Sequence, residues 1–410
     1  MRGGDVDSHL HSTAPSHPDL FDLISRIDSS WDISVKVVAI LVVAYAVCRR
    51  LGLTEGLDGA VAGGVQALSV RLSARSKIQA RWPQVQAKIN ALLGDKVVLH
   101  GLRVSNMPRP IPVDAAEAVL PDLYDKAVLT TAKSIRAAKH FPPMGENLSH
   151  GLVLRETGDA EPFDAESDSI KIKRTDYATI EALRQHGRPG TVVTAGAVLY
   201  CKETDEILLQ LRAAKSATHP DCLHTFGGNY EPFTWVNERD DAFEEPLRHT
   251  AIREVGEETG IADIEAKRAA VLIAEQLPLP TCSTGFVQYY YMGVYVSRKQ
   301  LARIKSNDQE GRVYRFTLEA FRKLIKRGVR VGRDGREHPT AFVPSGLAHV
   351  LVWLGLGAPD QTLRCPIEAR ALATYRDVMH DIEAFLRTNE ERLYPRAEGA
   401  GSGASHPASR

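Results

Sequence analysis

Apolar positions recur along this chain with two different periods. Val61, Val65, Leu68 and Leu72, then Ile78, Val85, Ile89 and Leu92, stand at helical spacing and predict a helical segment over 56–95, ended by Gly94-Asp95. Lys96 to Leu99 reads as a strand, and Pro108-Arg109-Pro110-Ile111-Pro112 breaks regular structure. Residues 113–138 return to helical spacing, 140–168 are loop-rich, and Glu156 to Asp168 is acidic. Ile170-Lys171-Ile172-Lys173 alternates as an exposed strand would, and Asp176 to Gln185 reads as a helix.

From Gly190 the pattern changes to short β-branched runs. Thr191 to Tyr200 and Glu206 to Leu211 predict two strands joined through the turn signal Thr204-Asp205. Val271 to Glu275, Gln288 to Val296 and Arg312 to Phe316 predict three more, with a helix, Glu245 to Glu258, set among them. Strands on both sides of one helix imply a mixed α/β sandwich. Residues 346–357 and 366–394 then predict C-terminal helices.

The segment 31–50 fits neither period. From Val37 to Cys48 no residue is charged, and no amphipathic face emerges. A spanning helix needs about 20 apolar residues, so 33–48 is short, and Lys36 lies inside it. A membrane anchor and a buried packing helix remain equal readings. As an anchor it would leave Arg49, Arg50, Arg71, Arg75 and Lys77 on the cytoplasmic side. Residues 1–30 read as a flexible leader without a secretory signal; a solvated tail suits His9, His11 and His17 better than a metal site. The expected organisation is that leader, the apolar helix 31–50, an accessory helical and α+β region 51–189, a domain over 190–330, a helical extension 331–395 and a disordered tail 396–410.

Composition narrows the classes. The chain of 410 residues is 43% hydrophobic and 25% charged, as folded globular chains are. Lys+Arg and Asp+Glu both number 51, so no global charge argues for a nucleic acid polymer as partner. Cys48, Cys201, Cys222, Cys282 and Cys365 form no CxxC pair, which fits a reducing, cytoplasmic setting.

The chemistry concentrates in the helix that begins near Glu245. On a helix Glu254, Glu257 and Glu258 stand at i, i+3 and i+4 and share one face. Arg253 can pair with Glu257, but one arginine does not neutralise the cluster, whereas a hard divalent cation does. Gly260 fits the left-handed cap that ends such a helix. Taken alone, a run of glutamates is usually a solvated face.

The spacing is more specific than that. Glu245, seven residues, then Arg253-Glu254-Val255-Gly256-Glu257-Glu258-Thr259-Gly260-Ile261 resembles the Nudix box from its first glutamate onward. Upstream, Gly227-Gly228-Asn229-Tyr230-Glu231 resembles the glycine-rich piece that precedes the helix. Counted from Gly228 the first glutamate of the box belongs at position 234, so Phe233 to Glu244 reads as an insertion, a lid beside the site or a tolerated surface loop. The resemblance covers roughly 190–330 and implies a Nudix-type α/β/α sandwich with a mixed sheet. Around it lie a mainly helical N-terminal region and the C-terminal helices.

By that resemblance the protein would be a hydrolase cleaving the diphosphate linkage of a nucleoside diphosphate derivative. Glu254, Glu257 and Glu258, with the backbone carbonyl of Gly227, would hold Mg²⁺ or Mn²⁺. Arg253 would orient a glutamate, Glu245 would support the helix start, and Glu310 is a distant candidate for the base. The rival reading is a nucleotide sensor with little turnover, coupled to a membrane or N-terminal effector segment. The partner implied is a nucleoside diphosphate-linked small molecule, with membrane association through 33–48 and a homodimer left open. The pocket is less defined. Tyr289, Tyr290 and Tyr291 suit core packing better than base stacking, and Arg212 suits phosphate or plain surface equally. His219, Cys222 and His224 lack the fourth ligand of a zinc site.

Overall fold

A computed structural model describes residues 58–104, 126–138, 151–155, 172–230 except 189 and 217, 244–264 except 262, 270–306 except 280, 281 and 283, 311–359 except 333, and 367–393. The apolar stretch 33–48, most of the 233–244 insertion and Glu310 lie outside these. Among the described residues no helix is long and apolar enough to cross a membrane. Met1–Ser73 and Ala74–Arg410 separate into two compact units, and the whole sheet belongs to the second.

Helix α1 (Asp58–Leu93) leads into β1 (Val97–Arg103). Then come α2 (Lys126–Ala138), β2 (Gly151–Arg155), β3 (Ile172–Asp176) and α3 (Tyr177–Gln185). The long strand β4 (Gly190–Cys201) and β5 (Glu206–Arg212) follow, with short β6 (Leu223–His224) and β7 (Phe226–Asn229). Helix α4 (Glu244–Thr259) carries the glutamates, before β8 (Ala270–Gln276), β9 (Thr284–Tyr295) and α5 (Arg298–Leu301). The chain ends through β10 (Gly311–Thr317), α6 (Leu318–Arg327), the hairpin β11 (Val329–Val331) and β12 (Glu337–Pro339), α7 (Pro344–Gly355) and α8 (Ile367–Leu393).

Strand β4 organises the sheet. Every residue of it is buried, as expected of a central strand covered on both faces. One edge runs parallel to β9 from Gly190 opposite Thr284 to Tyr200 opposite Tyr295. The other edge is shared in succession by β2, β7 and β5, all antiparallel. Strands β8 and β1 extend the sheet beyond β9, and β10 and β6 extend it beyond β5.

The two faces bury separate cores. Val193, Ala195, Ala197 and Leu199 of β4 pack with Leu247, Ala251 and Val255 of α4. Val198 and Tyr200 face the other way, onto α1, α6, α7 and α8 through residues such as Ile89, Phe321, Leu351 and Phe385. The result is an α/β/α sandwich with a mixed sheet. Tyr289 and Tyr291 belong to the first core and Tyr290 to the second, as strand alternation requires. Gly293, at φ 82°, inserts an extra residue into β9, so Val294 returns to the face of Tyr291.

Several elements depart from the pattern reading. Strand β2 lies in the loop-rich stretch and pairs with β4 through Leu154 opposite Val192. Helix α6 was not foreseen, although its marks are local: the Thr317 hydroxyl accepts from Ala320 N, and Gly328 closes it at φ 65°. Of the helical expectation over 113–138, Lys126–Ala138 is helical and 113–125 is outside the described residues.

Candidate active site

Helix α4 is held by its apolar stripe, so its opposite side is free to present charge. Its C-terminal end is closed by Gly260, at φ 72°, whose N–H donates to Gly256 O at 2.8 Å. Glu254 is 15% exposed, Glu257 48% and Glu258 6%. The three therefore share a face but not an environment. Glu245 lies in the first turn of the helix.

Arg253 sits between two of the glutamates. Its Nη2 donates to Glu254 Oε1 at 2.7 Å and to the Asn229 carbonyl at 3.3 Å. Its Nη1 donates to both oxygens of Glu257 at 3.2 Å. Glu258 instead accepts from the backbone N–H of Gly227 at 3.0 Å, which ties the helix to β7.

Glycine is required at that strand. Gly227 adopts φ 151°, and a Cβ there would meet Ala195 O and Gly196 Cα at 2.6 Å. A Cβ on Gly228 would fall 2.2 Å from Glu254 Cδ, inside the carboxylate itself. The glycine pair lets a strand edge pass against two carboxylates.

Beside them lies a cavity of about 310 Å³. Glu254, Glu258, Gly227 and Gly228 line one part, Arg184 and Arg212 another, and Tyr177, Ile180, Val192 and Phe286 an apolar wall. Gln276, Gln288 and Tyr290 line it as well. Arg212 is steadied by Thr218, donating from Nε to the carbonyl at 2.9 Å and from Nη2 to Oγ1 at 3.1 Å. Burial lowers the pKa of Arg212, and the negative charge of Glu258 opposes the shift. Burial also raises that of Tyr290, and the Glu258 carboxylate adds to the rise.

His219, Cys222 and His224 are all buried. Burial, reinforced by the positive Arg212 and Arg184, brings the His219 pKa down to about 4. His224 is driven well below 6.5 mainly by burial, and the Cys222 thiol is pushed up to about 12. Among the described residues no group of three or more His, Cys, Asp or Glu is gathered closely enough to hold a metal ion by itself.

The residues singled out by spacing thus fall into place unevenly. Gly227, Arg253, Glu254 and Glu258 meet at the cavity or its rim, and Glu257 stands outside it on Arg253. Arg184, Gln276, Gln288 and Phe286 were missed. Gln288 had a signal: it is a polar side chain inside the otherwise apolar run Val287 to Met292 of a buried strand.

No family model matches the chain, and no curated protein matches it. Solved structures do. A MutT protein from Methanosarcina mazei Go1 is 23% identical over 32% of this chain and 79% of its own, with a TM-score of 0.22. A NUDIX hydrolase from Alicyclobacillus acidocaldarius is 15% identical over 35% of this chain and 86% of its own, at 0.25. A bifunctional NMN adenylyltransferase/ADP ribose pyrophosphatase from Francisella tularensis, complexed with AMP and a Mn ion, is 19% identical; 40% of each chain is covered, at 0.24. The parallel β4–β9 pair, the glycine strand beside it and the glutamate helix packed across them complete the α/β/α sandwich with its mixed sheet.

Proposed function

We propose that the protein is a metal-dependent hydrolase that cleaves the diphosphate linkage of a nucleoside diphosphate derivative. The observation that carries the reading is the meeting of Glu254, Glu258 and Arg212 at one cavity beside Gly227-Gly228. A diphosphate needs cationic partners, and the derivative attached to it needs an apolar wall. The cavity supplies Arg184 and Arg212 for the first and Tyr177 and Phe286 for the second.

The donor set fits a hard divalent cation. Glu254, Glu257 and Glu258 offer only oxygen donors, the kind such a cation prefers. Glu254 and Glu258, joined by Glu257 and the carbonyl of Gly227, would hold Mg²⁺ or Mn²⁺. Because the described glutamates do not close around an ion by themselves, oxygens of the substrate would complete its shell. Bound there, the ion supplies charge neutralisation at the phosphate oxygens and a lower pKa for the attacking water.

The chain's own residues do the rest. Arg212 holds phosphate oxygens, since its guanidinium is already fixed by Thr218. Arg253 keeps Glu254 oriented, and the Gly227 N–H keeps Glu258 in place. A carboxylate within reach takes the proton of the water. Glu310 stays a proposal for that role; it immediately precedes Gly311, which pairs with Arg212 across β10 and β5.

A panel of nucleoside diphosphate derivatives incubated with the full chain and Mg²⁺, with products identified by mass spectrometry, tests the reading. Release of a nucleoside monophosphate and a second phosphate ester is expected from at least one. Glu258→Gln should lower that rate by about 10²-fold, the scale of losing a group that tunes a metal. Wild-type rates in Glu257→Gln and Glu258→Gln would remove the helix from catalysis. Tight binding with no turnover would leave the sensor reading in its place.

A further inference from the structure

Between Arg212 and Cys222 the chain bends through two residues in a backbone conformation that side chains disfavour. His219 adopts φ 47° and Asp221 φ 57°, one on each side of Pro220. The proline narrows the choices of His219 further. The bend is held from β5: Arg212 N donates to Cys222 O at 3.0 Å, and Arg212 Nε donates to Thr218 O at 2.9 Å. Its result is to set the His219 ring, only 8% exposed, into the cavity wall.

A row of hydrogen bonds behind the ring decides which of its nitrogens carries the proton. Gln288 Nε2 donates to Ser345 Oγ at 3.2 Å, and Ser345 Oγ donates to Gln276 Oε1 at 2.7 Å. Ser345, the second residue of α7, is wholly buried. With its oxygen taken, Gln276 turns Nε2 toward His219 Nε2, 3.3 Å away. An amide N–H can only donate, so His219 Nε2 accepts and the ring proton sits on Nδ1. Were Gln276 turned over, Ser345 would face two amide nitrogens and its own proton would have no acceptor.

The donor so created has no protein partner. Among the described residues Nδ1 makes no hydrogen bond, and it is not one of the unpartnered side-chain atoms sealed from solvent. The ring lines the cavity, so the Nδ1–H is offered there. Arg212 and Arg184 line the same cavity, and both of their charges act on His219. With burial, they keep the ring neutral above about pH 4. A neutral N–H close to two guanidiniums suits one kind of ligand atom, an oxygen that carries negative charge.

We propose that His219 is a binding residue for a phosphate oxygen of the ligand, donating through Nδ1 alongside Arg212 and Arg184, with Gln276 and Ser345 as the positioning residues that keep the proton on that nitrogen. The inference rests on the diphosphate reading of the cavity and gives it a third donor. The ring acts as a neutral donor, because an imidazolium would turn a second N–H against that of Gln276. A donor oriented before the ligand arrives needs no rearrangement on binding.

Calorimetric titration of the full chain with inorganic pyrophosphate and Mg²⁺ tests this. His219→Ala should weaken binding by at least about 10-fold, the scale of one hydrogen bond to a charged group. His219→Asn can place a side-chain N–H where Nδ1–H stood and tolerates the left-handed backbone, so it should stay within about 3-fold of wild type. His219→Gln, which carries its amide out toward the Nε2 position, should bind as weakly as the alanine variant. Long-range proton–nitrogen NMR of wild type gives an independent readout: Nδ1 should be the protonated nitrogen of His219, and its resonance should move when pyrophosphate is added. An asparagine variant as weak as the alanine variant would assign His219 to the bend alone and overturn the inference. Unchanged affinity in His219→Ala, a proton found on Nε2, or no binding of pyrophosphate by wild type would overturn it as well. Hydrolysis of a nucleotide derivative with undiminished pyrophosphate affinity in His219→Ala would sink this inference alone. Pyrophosphate binding that needs His219, with no derivative hydrolysed, would sink the enzyme reading alone.

Discussion

At Gly228 an alanine would place its methyl 2.2 Å from Cδ of Glu254. The clashing atoms are the end of a flexible side chain, so the carboxylate moves and the backbone does not. Gly228→Ala is therefore expected to keep its melting temperature within a few degrees while hydrolysis falls by about 10²-fold. A matching loss of stability would mean that the strand, not the carboxylate, had given way. A second residue-scale effect comes from the buried histidines. His219 titrates at about 4, through burial and the nearby Arg212 and Arg184, and His349 at about 3, through burial alone. In the unfolded chain both take up protons near 6.5. Between those values the unfolded state binds more protons, so stability rises with pH. It is fully present above about 6.5 and is lost as pH falls toward 4, on the order of 3 kcal/mol for each histidine. The depressed Glu203 and Glu368 act only below about 4.5, so they do not account for the upper part of this window. A melting temperature that stays level from pH 7 to 4.5 would contradict it.

Among elements, α7 binds the cavity to the rest of the fold. All twelve of its residues, Pro344–Gly355, are buried, so it has no solvent face. His349 of this helix stacks on Tyr290 at 3.6 Å between ring centres and shares Thr225 Oγ1 at 2.9 Å. Helix α8 fixes where α7 begins, because Asn389 caps Phe342 N and Arg392 Nη1 donates to the carbonyls of Gly328 at 2.7 Å and Thr340 at 2.6 Å. Asn389→Ala leaves a buried N–H without its acceptor, a cost of about 1–3 kcal/mol. Denaturant unfolding should show that loss, and nucleotide affinity should fall with it because Val343 lines the cavity. Loss of stability with unaltered affinity would show that the start of α7 tolerates displacement.

For the whole molecule, the glutamate helix covers only one face of the sheet. The opposite face is covered by α1, α6, α7 and α8, which reach from Ile78 to Phe385 in sequence. Strands β1, β2 and β3 add to the sheet from residues before Gly190. A chain restricted to 190–330 would expose Val198, Leu272 and Met292 to water and leave the β8 edge unpaired. It is expected to be insoluble or unfolded, where a chain of 74–393 remains folded; circular dichroism and size exclusion of the two would decide. A well-folded 190–330 fragment would show that the flanking helices are accessory.

How much was legible in the sequence depends on the distance over which each feature is set. The glutamate face, its glycine cap and the alternation of Tyr289, Tyr290 and Tyr291 follow from periods of 3.6 and 2 within a few residues, and the structure places them so. Strands β4 and β10 are likewise legible in local runs, each extending one residue beyond the expected bounds at either end. The pairing of β2 with β4, the approach of Arg184 to Arg212, and the meeting of Ser345 with Gln276 and Gln288 do not. They join residues whose separation runs from tens of positions to 69 along the chain. The cavity was decided only by folding, because a side chain's neighbours across a sheet depend on register and on which helix covers which face. What the residues alone determined was a charged helix beside a pair of glycines; what tertiary contact added was the apolar wall and the cations that line the cavity with it.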